Sequence, residues 1–519
     1  MKTDFDIAVI GSGFGGSLIA MIARRLGRSV VMLERGQHPR FAIGESSTPL
    51  ANLLLEELAR RYDLPGLLPL TKWGTWQRER PGIACGLKRG FTFFYHEFGH
   101  PFANDSEHRD QLLVAASPHD DIADTHWYRP DFDAHLVREA QALGVEFIDQ
   151  LRLDEISITD DGANFVGERL GQPVKLRAKF VIDASGPRGA LHHALKLPEV
   201  PLEKLPATQG LYSHFTGVRR WEEMFPNNSA APYPADDAAL HHVFEGGWIW
   251  VLRFNNGLTS AGVAATDALA NELKFSEGAP AWERLLKRLP AVRAQFSDAK
   301  ATLPFVHAPR LAFLSGYVSA KQWALLPSAA GFIDPLLSTG FPLTLLGIRR
   351  LAVIIETVWG KEEFSTRLFD FSMRTTMELL TTERLVAALY AAMDDFELFT
   401  SLTLLYFAAA SFTETARRLG KPELAGESFL LADHPVFGPR FRYCVDAALR
   451  RPTGAARTEL LERIRQTIEP VDVAGLGDGT RRNWYPVKAD DLFAASQKLG
   501  ASRAEIEQLL VRCGFAGGR

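Results

Sequence analysis

The sequence predicts an α/β fold: a Rossmann-like nucleotide-binding unit at the N-terminus, a mixed β-sheet inserted into it, and a mainly helical C-terminal part. Three observations carry that expectation. A strand, a glycine turn, a helix and a second strand fill the first 34 residues. Strand-like runs and a hairpin turn occupy 210–264. From residue 342 onward the pattern is mainly helical.

The elements follow in order. Residues 6–10 are β-branched or small and barely alternate, which predicts a parallel strand buried on both faces. A helix is expected over 17–26, stopped by Gly27, and a second buried strand over 29–33, ending at Glu34. The apolar run 180–182 leads into Asp183-Ala184-Ser185-Gly186. Strands are expected over 211–215, 248–254 and 258–263, the last two joined by the hairpin turn Asn255-Asn256-Gly257. A final strand of the first unit falls at 323–326, and helices cover 342–357 and 387–419. The chain thus divides into a nucleotide-binding part, 1–350, with inserted sheet segments at about 85–125 and 205–310, and a helical part, 351–519.

At 519 residues, 46% hydrophobic and 23% charged, the composition is that of a globular protein of two or three packed modules. A net charge of -4 gives no polybasic face for nucleic acid or an anionic membrane. The 34 phenylalanines suit an aromatic or acyl substrate as well as an ordinary core. Cys85, Cys444 and Cys513 are too far apart for a redox or zinc motif, which predicts a reduced, cytoplasmic protein. The N-terminus opens on the glycine motif rather than on a signal peptide, and no stretch reaches the roughly 18 uninterrupted apolar residues of a membrane span. No metal site is expected. The pairs His192-His193 and His241-His242 diverge along a strand, and Gly99 argues against a helix bringing His96 and His100 together.

Gly11-Ser12-Gly13-Phe14-Gly15-Gly16 matches the dinucleotide fingerprint GxGxxG. Gly11 permits the tight turn, Gly13 lets the backbone approach a pyrophosphate, and Gly16 lets helix and strand pack closely. The helix N-terminus then offers N–H groups to the phosphates. Glu34, 23 residues after Gly11 and next to Arg35, closes the second strand, where a carboxylate binds ribose hydroxyls.

Three further segments resemble FAD-dependent hydroxylases and their relatives. Asp183 to Gly186 resembles their second nucleotide-contact loop, Arg129 sits where they place an arginine near the cofactor, and 329–340 resembles their last flavin loop. That family usually has Gly-Asp before the last loop. Pro327-Ser328 stands here, so Ser328 offers only a neutral hydrogen bond. Looser FAD binding is expected, as suits a protein supplied with reduced FAD by a separate flavin reductase.

Within this superfamily the chain resembles the flavin-dependent halogenases. Gly44-Glu45-Ser46 is similar to the segment that lies along their flavin, and Asp334-Pro335-Leu336-Leu337-Ser338-Thr339-Gly340 is similar to their halide loop. The resemblance implies that Ser338, Thr339 and Gly340 hold chloride or bromide beside FAD. Trp248-Ile249-Trp250 resembles the family's paired tryptophans, which wall the flavin off from the organic substrate; the family continues Ile-Pro where this chain has Leu252-Arg253. The resemblance implies that reduced FAD, oxygen and halide give hypohalous acid, which a lysine directs to the substrate. Lys72, 27 residues after Glu45 and followed by Trp73-Gly74, is preferred for that lysine over Lys88. Tryptophan halogenases carry a glutamate where Leu337 stands, so the resemblance implies a phenol, pyrrole or indole-type aromatic other than free tryptophan, free or bound to a carrier protein. Glu97 is the candidate carboxylate for stabilising the reacting ring. The departures at Ser328 and Arg253 leave a second reading, an FAD-dependent monooxygenase or dehydrogenase of the same superfamily.

Overall fold

The computed structural model describes residues 4–226 and 231–515. The N-terminal unit forms around the strand Asp4–Ile10, which pairs in parallel with Gln172–Asp183 on one side and Val30–Leu33 on the other. Glu146–Ile148 extends the sheet beyond Val30–Leu33, and Trp323–Leu325 extends it beyond Gln172–Asp183, again in parallel. Ile7, Ala8, Val9, Val31 and Met32 are fully buried, as the absence of alternation requires of strands covered on both faces. The helix Phe14–Arg25 ends at Leu26, and Gly27 follows at φ +79, a left-handed position that glycine adopts without strain.

Most strands of the two inserted segments form a single sheet, while Cys85–Lys88 and Asp124–Trp127 pair in a separate two-stranded one. Ala239–Phe244 pairs in parallel with Gly90–Tyr95 and antiparallel with Gly247–Arg253. Thr259–Thr266 and Thr208–Thr216 follow in antiparallel register. One strand from the helical part, Trp484–Tyr485, pairs with Gln111–Ala115 and so ties the C-terminal region to this sheet.

The helix expected over 387–419 is two helices, Glu363–Ala391 and Phe396–Arg418. The break comes at Asp395, whose carboxylate accepts from the Leu398 N–H and caps the second helix. The helix expected from residue 342 starts two residues earlier, as Gly340–Thr357. The segments Leu336–Thr357 and Phe396–Arg418 are long and apolar enough to span a bilayer, yet 72% of the most apolar window of each is buried within the protein. Their apolar surface is spent on the core that joins the helical part to the nucleotide unit.

Candidate active site

The glycine turn is built for close approach. A Cβ on Gly16 would lie 2.0 Å from the Gly11 carbonyl oxygen, and one on Gly11, at φ +95, would lie 2.6 Å from that of Ala184. Gly13 faces Arg129 and Arg40, at 3.3 Å and 3.8 Å from the Cβ it lacks. Glu34 is held ready at the strand end: its Oε2 accepts from the Ser12 N–H at 3.1 Å and hydroxyl at 2.7 Å, and its Oε1 accepts from the Gly36 N–H at 2.8 Å. Burial raises this carboxyl, but Arg40 and those bonds outweigh burial and keep it below its ordinary range. Arg40 Nε and His38 Nδ1 are buried without hydrogen-bond partners. Polar atoms left open around a glycine cradle fit a bound dinucleotide. Arg40 and His38 belong to no motif in the sequence, and only the fold brings them to the turn.

Several residues expected at the cofactor shape the site from behind. The Phe14 ring turns inward, packing 4.8 Å from Phe341 and 5.4 Å from Trp127, so only its backbone faces the turn. Arg129 donates to both Asp133 oxygens at 2.8 Å and to the carbonyls of Ile43 and Gly44 at 3.1 and 2.8 Å, which fixes the 43–46 segment beside the turn. Asp183 spends its carboxylate on its own loop, accepting from the Ser185 N–H, the Ser185 hydroxyl and the Leu191 N–H. Gly186 follows at φ +91. Ser328 lies half-buried in the short helix Pro327–Ala330, and Arg35 is exposed. Glu45 turns into the sheet, where its Oε1 meets His214 Nε2 at 2.8 Å while its Oε2 is buried and unpartnered.

Trp248 and Trp250 lie on one face of their strand, their rings 5.7 Å apart, and Ile249 faces the opposite core. Asp334, expected at the cofactor, engages its carboxylate as an anchor between this wall and the following loop. Its Oδ1 accepts from Trp248 Nε1 at 3.2 Å and from the Leu336 N–H at 3.0 Å, and its Oδ2 accepts from the Tyr390 hydroxyl at 2.9 Å. Burial pushes the Asp334 carboxyl up to about 6 against these three donors. Pro335 then leads into a tight turn in which Leu337 and Ser338 have φ +64 and +53. Thr339 and Gly340 end the turn at the start of the 18-residue helix Gly340–Thr357. First-turn N–H groups and the helix dipole favour an anion there. Arg253, the departure after the tryptophans, is structural: it pairs with Asp236 at 2.9 Å and donates to the Val218 and Arg219 carbonyls.

The two lysines differ sharply. Lys72 is half-buried, and its amine makes no hydrogen bond among the described residues. Lys88 is fully buried, donates to Ser46 Oγ at 2.8 Å and to the Ser47 carbonyl, and lies 3.7 Å from the Phe91 ring centroid. Burial pushes its ammonium down, and Asp124 opposes that shift. Phe91 forms one wall of a cavity of about 170 Å³ also lined by Asp124, Tyr406, Phe407, Lys72 and Phe515. His241 bridges the two walls, with its ring 5.3 Å from Trp248 and 6.0 Å from Phe91. Spacing from Glu45 favoured Lys72, which lines this cavity, whereas strand pairing carries Lys88 to Ser46 beside the cavity wall. Glu97 is largely exposed beside His100, remote in character from a buried reacting group. A larger cavity, about 920 Å³ and lined by seven arginines, lies on the outer face of Glu363–Ala391 and includes none of these residues. Among the described residues no cluster of three metal-ligating side chains occurs.

The profile of the FAD dependent oxidoreductases matches residues 6–320. The monodechloroaminopyrrolnitrin halogenase PrnC of Pseudomonas fluorescens is 31% identical over 78% of this chain and 70% of its own length. The chain belongs to the flavin-dependent halogenases. Across nearly its full length, this halogenase is also 26% identical to the tetracycline 7-halogenase of Kitasatospora aureofaciens, over 98% of this chain and 95% of that one. Among solved structures, the halogenase PltM in complex with phloroglucinol and FAD superposes with a TM-score of 0.80 at 26% identity, covering 92% of this chain and 99% of PltM. FAD is thus its cofactor.

Proposed function

We propose that this halogenase acts on a single-ring, electron-rich aromatic, a phenol in the first place, with Lys88 as the lysine that delivers the halogen. One observation carries the reading: the buried Lys88 ammonium stands between Ser46–Ser47 of the flavin segment and Phe91 of the cavity wall. Bound reduced FAD, with oxygen and halide, supplies hypohalous acid. Gly11, Gly13 and Gly16 admit the pyrophosphate, Glu34 binds the ribose, and Arg40 balances the phosphate charge. Thr339 and Gly340 hold the halide. Trp248 and Trp250 keep the substrate away from the flavin, so the oxidant reaches the ring only past His241 and Lys88.

The size of the cavity supports a small substrate. A cavity of about 150 Å³ accepts a benzene ring, so about 170 Å³ suits one substituted ring. PltM, whose fold this chain shares, was crystallised with phloroglucinol, a trihydroxybenzene. In this reading a separate flavin reductase delivers reduced FAD, in the cytoplasm.

The test is bromination of phloroglucinol-type phenols by the purified protein with FAD, NADH, a flavin reductase and bromide, read by mass spectrometry. Bromine isotope doublets are expected. Oxygenated products lacking bromine would replace this reading with an FAD monooxygenase, and bromination confined to a carrier-bound pyrrole would move the substrate class.

A further inference from the structure

The strand Asp124–Trp127 pairs antiparallel with Cys85–Lys88, and the register sets Asp124 opposite Lys88. The two residues close one buried hydrogen-bonded circuit. Lys88 donates to the Ser47 carbonyl, the Ser47 hydroxyl donates to Asn52 Oδ1 at 2.7 Å, and Asn52 Nδ2 donates to Asp124 Oδ1 at 2.9 Å. Asp124 Oδ2 has no partner. Asp124 is 7% exposed and lines the cavity beside Phe91 and Tyr406. A buried oxygen left without a partner is costly. The other buried aspartates of the region do not bear that cost: Asp183, Asp133 and Asp334 each have both oxygens bonded. Glu414, which also lines the cavity, is engaged by Arg418 at 2.7 Å.

We propose that Asp124 is the base of the halogenation step, with its Oδ2 taking the proton from the ring carbon of a substrate seated in the cavity. The proposal rests on the assignment of Lys88 and the cavity made above. The ring carbon forms its bond to halogen while the oxygen–halogen bond of hypohalous acid breaks. The departing hydroxide takes a proton from Lys88 and leaves as water. The carbon–hydrogen bond then breaks, its electron pair restores the aromatic ring, and its proton goes to Asp124. Transfer of that proton to Lys88 resets the pair.

The surroundings favour this exchange. Burial pushes the Asp124 carboxyl up, and Glu414 adds to that, while Lys88, Asn52 and Arg418 oppose it. Burial pushes Lys88 down. Burial thus works against the charge on both groups, which favours proton exchange within the pair. Besides Glu414 and Arg418, the helix Phe396–Arg418 presents Tyr406 to Asp124, and that phenol is pushed up out of the range in which it would compete as a base.

The test compares ring-deuterated and ordinary phenol in the bromination assay, alongside capture of hypohalite by a 1,3-diketone. The wild type at neutral pH shows no substrate isotope effect. Asp124→Asn keeps the acceptor for Asn52; it lowers kcat about 100-fold or more, a primary isotope effect appears, and hypohalite capture is unchanged. Asp124→Glu recovers part of the rate. In the wild type itself, acidification that protonates Asp124 brings out the same isotope effect. Bromination by Asp124→Asn within about threefold of wild type, or loss of hypohalite in step with product, overturns the proposal. A wild type that releases hypohalite but brominates no phenol overturns the reading of the cavity, and this proposal with it.

Discussion

Replacing Lys88 by methionine separates the two lysines. The substitution keeps the length of the side chain in a fully buried position. It removes two charge-assisted hydrogen bonds, to Ser46 and Ser47, worth about 1.5–3 kcal/mol each. It also removes the desolvation penalty of a buried ammonium, several kcal/mol of the opposite sign. The two nearly cancel, and Asp124, deprived of its counter-charge, relaxes by taking up a proton. The variant is therefore expected to fold and to bind FAD. Catalysis has no such compensation, because among the described residues no other lysine bonds Ser46 or Ser47. A positioned proton donor contributes about 10²–10⁴-fold, so bromophenol is expected to fall at least about 100-fold, with NADH consumption and diketone-captured hypohalite retained. Lys72→Ala, at the cavity wall, is expected to keep halogenation, its effect confined to the KM of the phenol. The assay is product by mass spectrometry beside FAD fluorescence and hypohalite capture on the same preparations. Bromination by Lys88→Met within about threefold of wild type, less than about 0.7 kcal/mol of barrier, would refute the assignment. So would loss of product in Lys72→Ala with Lys88→Met active.

Gly16→Ala is expected to abolish FAD binding in equilibrium dialysis, because its Cβ would meet the Gly11 carbonyl at 2.0 Å; Gly82→Ala, with open space around it and no left-handed φ, should bind FAD normally. Stability should carry a signature of Asp334, raised to about 6 from 3.8. Below about pH 4 folded and unfolded chains both hold this proton and the contribution is whole; between about pH 4 and 6 the unfolded chain loses it first, and stability falls by about 3 kcal/mol. Urea midpoints across that window should fall more steeply for wild type than for Asp334→Asn; parallel curves would show that the carboxyl is not raised. Tyr390→Phe removes the donor to Asp334 Oδ2 and should raise the KM for bromide about tenfold, the equivalent of roughly 1.4 kcal/mol in the halide loop. An unchanged bromide KM would detach Tyr390 from that loop.

The sequence by itself determined the nucleotide unit, because that chemistry is local. The glycine turn, the unalternating strands and the acid at the second strand end lie within 34 residues. Trp248 and Trp250 were equally legible, since a strand sends alternate residues to one face whatever surrounds it. What lay beyond it were contacts between segments far apart in the chain. Lys88 meets Ser46 across 42 residues, Asn52 meets Asp124 across 72, and Tyr390 meets Asp334 across 56. Spacing along the chain favoured Lys72, because it measures contour length, whereas burial and pairing decide which amine loses its water. Arg40, His214 and Asp124 belong to no motif, and isolated charged residues most often lie on solvated surfaces. Only the tertiary structure could bring each to its site, because their roles come from partners that other segments supply.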